Sequence, residues 1–181
     1  MNTERALSIR RSVRKYLSTP VEDDKLRQVL IAGNNAPSAM NNQNKVFIAI
    51  CSENVKQRIN DAVKKTCTPE TVERICSRSG DGSFNFFYNA PVLIVVASSD
   101  KLYPEADCAC AIENMYLRAT DLGLSACWIN QLTRTTNPDV LKILNRVGLS
   151  EDGVVYGCLA LGYSEVTFET KAKSNKIVVV K

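Results

Sequence analysis

Pro91-Val92-Leu93-Ile94-Val95-Val96-Ala97 decides the architecture: it is apolar without alternation and of strand length, so it reads as a strand buried on both faces. Beyond the polar gap that follows it, Glu105 to Leu122 is long enough for a central helix, and Gly123 stands where such a helix stops. Strand and helix together predict the core. Working outward, Val46 to Ile50, Ser125 to Ile129 and Val154 to Leu161 read as three further strands. Four strands with intervening helices predict an α+β sandwich, a central sheet flanked by helices.

The helices follow from caps and periodicity. Thr3 to Arg10 reads as a short helix with Ala6, Leu7 and Ile9 turned inward. After Pro20, the acids Glu22, Asp23 and Asp24 suit a helix N-terminus, and Leu26, Val29 and Leu30 stripe the helix toward Asn34. Asn34 to Asn44 reads as loop. Ser52 is placed to cap a helix carrying Val55, Ile59, Ala62 and Val63, and Asn137-Pro138 opens another with Val140, Leu141, Leu144 and Val147. Between Thr66 and Gly82 the pattern weakens, apart from a short helix after Pro69, and this stretch is expected to be the least ordered and to serve as a lid. With no internal repeat and no Gly- or Pro-rich linker, residues 1–181 read as a single domain, of which 164–181 form a C-terminal extension.

Composition narrows the chemistry. There is no histidine, which removes Ser-His-Asp and Cys-His hydrolysis, histidine-containing zinc sites and the two-histidine iron triad. No metal ligand set is predicted. A bound cofactor would let so limited a set of side chains carry demanding chemistry. The seven cysteines are scattered, and the only close pair, Cys108 and Cys110, lacks the spacing of a zinc or thioredoxin motif; free thiols acting as small hydrophobes are expected. The formal charge of +4 is dispersed among acids, and the two basic segments, 10–15 and 171–181, have no aromatic interleaving, so two small anion sites fit better than a nucleic-acid surface. No signal-like or membrane-spanning apolar stretch is present, and a cytoplasmic protein without a membrane partner is expected.

The tail poses its own problem. Ile177-Val178-Val179-Val180 is strongly β-prone, and a strand of this kind left unpaired is an aggregation hazard. It either returns to its own sheet or augments that of another subunit, and the long polar connection from Ser164 to Lys176 favours exchange.

Three segments carry candidate chemistry. Arg10-Arg11-Ser12-Val13-Arg14-Lys15-Tyr16 gathers four cations and a hydroxyl, which suit either a phosphate site or a solvated basic turn. Ala36-Pro37-Ser38-Ala39-Met40-Asn41-Asn42-Gln43 offers small and amide side chains that match the mixed edge of a planar heterocycle, or form an ordinary turn. Gly123-Leu124-Ser125-Ala126-Cys127-Trp128-Ile129-Asn130-Gln131 is an apolar strand ending in two amides.

In this order and spacing the three segments resemble the nitroreductase family of FMN enzymes across essentially the whole chain; Phe87-Tyr88-Asn89-Ala90-Pro91 and Leu161-Gly162-Tyr163 also look like family segments. The resemblance implies a mostly antiparallel sheet whose C-terminal strand is exchanged in a homodimer, with FMN at the subunit interface. It implies that Arg10 and Ser12 hold the FMN phosphate, with Lys171 and Lys173 completing its charge shell, and that Arg11 belongs to the cofactor site. Arg14 would face the pyrimidine edge, stabilise the reduced flavin and act as the principal catalytic residue. Pro37, Ser38, Ala39, Asn41 and Gln43 would come from the second subunit, and Trp128, Ile129, Asn130 and Gln131 would lie beside the ring, with a backbone N–H toward N5.

The implied activity is an FMN-dependent oxidoreductase that takes electrons from NADH or NADPH and passes them, in ping-pong fashion, to nitroaromatics, quinones or similar electrophiles. The alternative is a flavin store, sensor or specialised flavin-modifying enzyme without broad reductase activity. Two departures bear on substrate: Asn44-Lys45 stands where many members have Pro-Trp, expected to alter a wall near the dinucleotide site, and Asn130-Gln131 replaces a common glycine beside N5.

Overall fold

The computed structural model describes residues 2–79, 81–166 and 174–180. Four strands, β1 (Lys45–Ile50), β2 (Val92–Ser98), β3 (Ser125–Ile129) and β4 (Val154–Gly162), form one sheet in the order β1-β2-β4-β3, antiparallel at every pairing. The expected α+β sandwich is what the chain builds.

β2 shows why its sequence does not alternate. Leu93, Val95 and Ala97 point into a core with α3 (Glu53–Thr66) and α6 (Pro138–Arg146), while Val92, Ile94 and Val96 point into a second core with α2 (Asp23–Asn34) and α5 (Pro104–Asp121). Every residue of the strand is buried, so both faces take apolar side chains and the one polar residue, Ser98 at its end, accepts a hydrogen bond from Asp100 N–H. α5 is the spine of the second core, with Cys108, Ala111, Ile112, Met115 and Ala119 fully buried.

The predicted caps are in place: Ser52 accepts from Val55 N–H, and Asn137 accepts from Asp139 and Val140 N–H. The stretch expected to be least ordered is more regular than its composition implies. Thr68 caps α4 (Pro69–Cys76), and Ile75 anchors this helix in the first core. In the turn that follows, the Ser79 hydroxyl lies 2.8 Å from the Cys76 carbonyl and 2.7 Å from that of Ser83. Local side-chain bonds thus supply order that hydrophobic periodicity does not reveal.

α1 (Thr3–Ile9) corrects an expectation. Only Ala6 is buried; Leu7 and Ile9 face outward at 55% and 40% exposure, because a seven-residue helix resting on α5 has room for one inward position. The tail gives a second apolar surface. Ile177–Val180 is exposed, at 65–90%, and no described residue between 174 and 180 pairs with the chain's own sheet. Return to the same sheet, one of the two expected fates, is not adopted.

All seven cysteines are free, with Cys108, Cys127 and Cys158 buried and Cys51 and Cys110 exposed. The opposite facing of Cys108 and Cys110 follows from the helical pitch, so Cys110 is not the buried small hydrophobe expected of it. Burial pushes the Cys108 thiol up to about 12, and Cys158 is pushed up for the same reason. No described helix is long and apolar enough to cross a membrane.

Candidate cofactor site

The Arg10–Tyr16 segment runs along the edge of β3. Ser12 forms a parallel bridge with Ala126, and Val13 N–H donates to the Ala126 carbonyl at 2.9 Å. Tyr116 of α5 locks the junction: its hydroxyl lies 2.8 Å from the carbonyls of Arg11 and Ala126 and 3.2 Å from Ser12 Oγ. Burial raises the Tyr116 pKa, which keeps the hydroxyl a donor. Farther along, the Tyr16 hydroxyl donates to the Val13 carbonyl at 2.8 Å, and its ring sits against Gly162, where a Cβ would come 2.5 Å from Pro91 Cδ and 3.1 Å from Tyr16 Cδ1. Sheet, helix and glycine together fix the path of the motif.

Its arginines point to different places. Arg10 lies over the Tyr116 ring, 4.8 Å from the centroid, with Nε 3.3 Å from Glu113 Oε1. Arg11 folds back to donate to the carbonyls of Ser8 and Arg10, at the end of α1. Arg14 is exposed and lies over the Tyr88 ring at 5.9 Å, with no carboxylate partner among the described residues. Partial desolvation works against its charge, but neighbouring Cys127, Tyr88 and Tyr116 outweigh that and raise its pKa. A cavity of about 370 Å³ beside this segment is lined by Arg10, Arg11, Gly123, Ser125, Ala126 and Val166. Lys171 and Lys173, expected to complete the anion site, lie outside the described residues.

The Pro37–Gln43 segment forms a strained loop around a short 3-10 turn, with Met40, Asn41 and Gln43 all at positive φ of 51–56°. Non-glycine residues do not hold this conformation unaided. Four contacts impose it. Both Asp107 carboxylate oxygens accept from Ala39 N–H at 3.1 Å, Ser38 Oγ accepts from Gln43 N–H at 3.1 Å, Asn42 donates to Asp100, and Lys45 Nζ reaches back to the carbonyls of Ala36 and Pro37. Lys45, one of the departures noted above, is therefore a brace for this loop. The loop presents Met40 at 84% exposure. No hydrogen bond, ion pair or ring contact among the described residues joins it to the Arg10–Tyr16 segment of the same chain.

Asp107→Ala would leave the Ala39 N–H without its acceptor and release the strain. We expect a loss of about 1.5–3 kcal/mol, measured by urea unfolding, together with faster proteolysis between 37 and 43. A variant as stable as the parent would show that the loop holds itself.

Within 128–131, Ile129 is buried in the first core, while Trp128 packs against the second, its buried Nε1 without a hydrogen-bond partner among the described residues. Asn130 is exposed, and its carbonyl accepts from Thr133 N–H in the turn after β3, while Gln131 is half-buried.

The nitroreductase-family profile matches residues 7–163 of the chain. The chain belongs to the nitroreductase family. An Archaeoglobus fulgidus relative described as an NADH dehydrogenase/NAD(P)H nitroreductase is 31% identical over 160 residues, covering 85% of this chain and 80% of that one. Among solved structures, a Bacteroides fragilis nitroreductase with bound FMN superimposes with a TM-score of 0.85 at 36% identity, over 100% of both chains. A Desulfitobacterium hafniense nitroreductase with bound FMN superimposes at 0.87 and 24% identity, again over 100% of both, and so shares the fold. In this nitroreductase-family chain, motif reading singled out the arginines and the amide loop as candidates. It missed the residues that hold them, Tyr116, Asp107 and Tyr88; the only signal for any of these was the Phe87–Pro91 resemblance.

Proposed function

We propose that the chain is an FMN-dependent oxidoreductase driven by NADH or NADPH, acting on nitroaromatics, quinones or similar electrophiles. One observation carries the reading: a single segment, bridged to β3 at Ser12 and locked by Tyr116, carries both Arg10, which lines the cavity, and Arg14, which is exposed and has no carboxylate partner among the described residues. Two guanidinium groups so placed fit a phosphate monoester and a heterocycle carbonyl carried by one molecule. The FMN-bound Bacteroides fragilis structure, alike over the full chain, supports the same cofactor.

Bound FMN supplies the two-electron chemistry between nicotinamide and acceptor. The chain's own residues bind and orient it. Arg10 and Ser12 would hold its phosphate, Arg14 would offer positive charge to its pyrimidine edge, and Lys171 and Lys173, outside the described residues, would be the further phosphate ligands. The Pro37–Gln43 loop serves the site of a partner subunit. Its anchor Asp107 is nine residues along α5 from Tyr116, which anchors the arginine segment, a separation of roughly 14 Å at the helical rise. Exposed Ile177–Val180 and exposed Leu7 and Ile9 supply apolar surface for such a dimer.

The purified protein should be yellow, with an FMN spectrum that bleaches under anaerobic stopped flow with NADH or NADPH and recovers on adding a nitroaromatic. A yellow protein that neither nucleotide bleaches would overturn the reductase reading in favour of a flavin store, sensor or specialised flavin-modifying enzyme. A colourless protein that binds no added FMN would overturn both.

A further inference from the structure

Tyr88 and Asn89 are consecutive non-glycine residues at φ 56° and 57°. Each such residue costs on the order of 1 kcal/mol or more, so the surrounding structure must impose the pair. Asn85 does so from within the loop. Its Oδ1 accepts from Phe87 and Asn89 N–H, its Nδ2 donates to Asn89 Oδ1, and its carbonyl accepts from Tyr88 N–H. α3 does so from outside. Lys56, 1% exposed, donates from Nζ to the carbonyls of Ala90 at 2.8 Å and Pro91 at 2.9 Å, and Asn60 bonds both Phe84 and Phe86. Glu53, at 2.9 Å, takes the remaining valence of Lys56.

This clamp has one outward product. It sets the Tyr88 ring, itself 6% exposed, under the Arg14 guanidinium. An exposed arginine without a carboxylate would otherwise sample many rotamers, and an aromatic face restricts it without neutralising it.

We propose that Tyr88 is a positioning residue that holds Arg14 in place for the cofactor, and that Lys56, Asn60 and Asn85 serve to hold Tyr88. The proposal rests on the reading that Arg14 faces bound FMN. A carboxylate in the same place would cancel the charge that Arg14 presents; an aromatic ring leaves it intact.

The test uses two readouts. In FMN-free protein, the Arg14 Nε–H resonance should exchange roughly tenfold faster in Tyr88→Leu than in the parent, with Tyr88→Phe between them because the ring remains. In the FMN-loaded protein, Tyr88→Leu should lower the midpoint potential toward that of Arg14→Ala. The expected shift is a tenfold change in the ratio of affinities for reduced and oxidised cofactor, about 30 mV for two electrons. Lys56→Met should move both readouts the same way although Lys56 does not touch Arg14. Parent-like Arg14 exchange in folded Tyr88→Leu and Tyr88→Phe would overturn the proposal. Parent-like potential in Arg14→Ala would instead overturn the placement of Arg14 at the cofactor, and the exchange readout would still decide whether Tyr88 holds it.

Discussion

Lys56→Ala is expected to destabilise the fold by about 3–5 kcal/mol, about 1–3 of it for main-chain carbonyls left without their donor and the rest for the cavity left by the stem. The side chain is almost wholly enclosed, and its ammonium bonds two main-chain carbonyls in the turn that enters β2. Truncation leaves both carbonyls without their donor and opens a cavity beside Phe87, over whose ring Nζ lies at 5.4 Å. Lys56→Met retains most of the stem packing, and should cost less, about 1–3 kcal/mol for the unsatisfied carbonyls. Equilibrium urea unfolding of parent and both variants measures the difference. A loss under about 1 kcal/mol for the alanine variant would mean that water replaces the ammonium without penalty.

The second large effect concerns the cofactor. Arg10→Ala should weaken FMN binding by roughly 10–100-fold, the equivalent of one lost charge-assisted interaction of about 1.5–3 kcal/mol. Glu113 lies 3.3 Å from Nε of Arg10, and the Tyr116 ring supports the guanidinium from one side. Arg14→Ala should behave differently, leaving affinity within a few fold and lowering the flavin potential. Fluorescence titration gives the first quantity and anaerobic spectroelectrochemistry the second. Unchanged affinity and potential in both variants would refute the division of roles between the two arginines.

How much of this was legible in the sequence depends on the range of the interaction. β2, α5 and the capped starts of α3 and α6 were readable because each announces itself within a few residues: an unbroken apolar run, a terminal glycine, a serine or asparagine before the helix. The cationic segment stood out for the same reason, and family resemblance suggested a ligand for it. Lys56 was not. A lysine in an amphipathic helix reads as solvated, and its burial depends on carbonyls 34 and 35 residues away. Asp107 was hidden likewise, since its partner Ala39 is 68 residues distant. The left-handed backbone at Tyr88 and Asn89 has no glycine to mark it. Leu7 and Ile9 failed in the opposite sense: their pattern is apolar and periodic, but the surface that would cover them is not part of the chain's own core.

The two anchorages on α5 have a consequence for how the chain can change in length. Asp107 holds the amide loop and Tyr116 holds the arginine segment, and the intervening backbone is uninterrupted helix. One residue inserted between them would turn one anchorage by about 100° relative to the other and move it by about 1.5 Å. Insertions in exposed turns that hold neither segment, such as Glu151-Asp152, leave both anchorages in place. The interval from Asp107 to Tyr116 thus behaves as a gauge of fixed length, open to substitution on its outer face but closed to gaps.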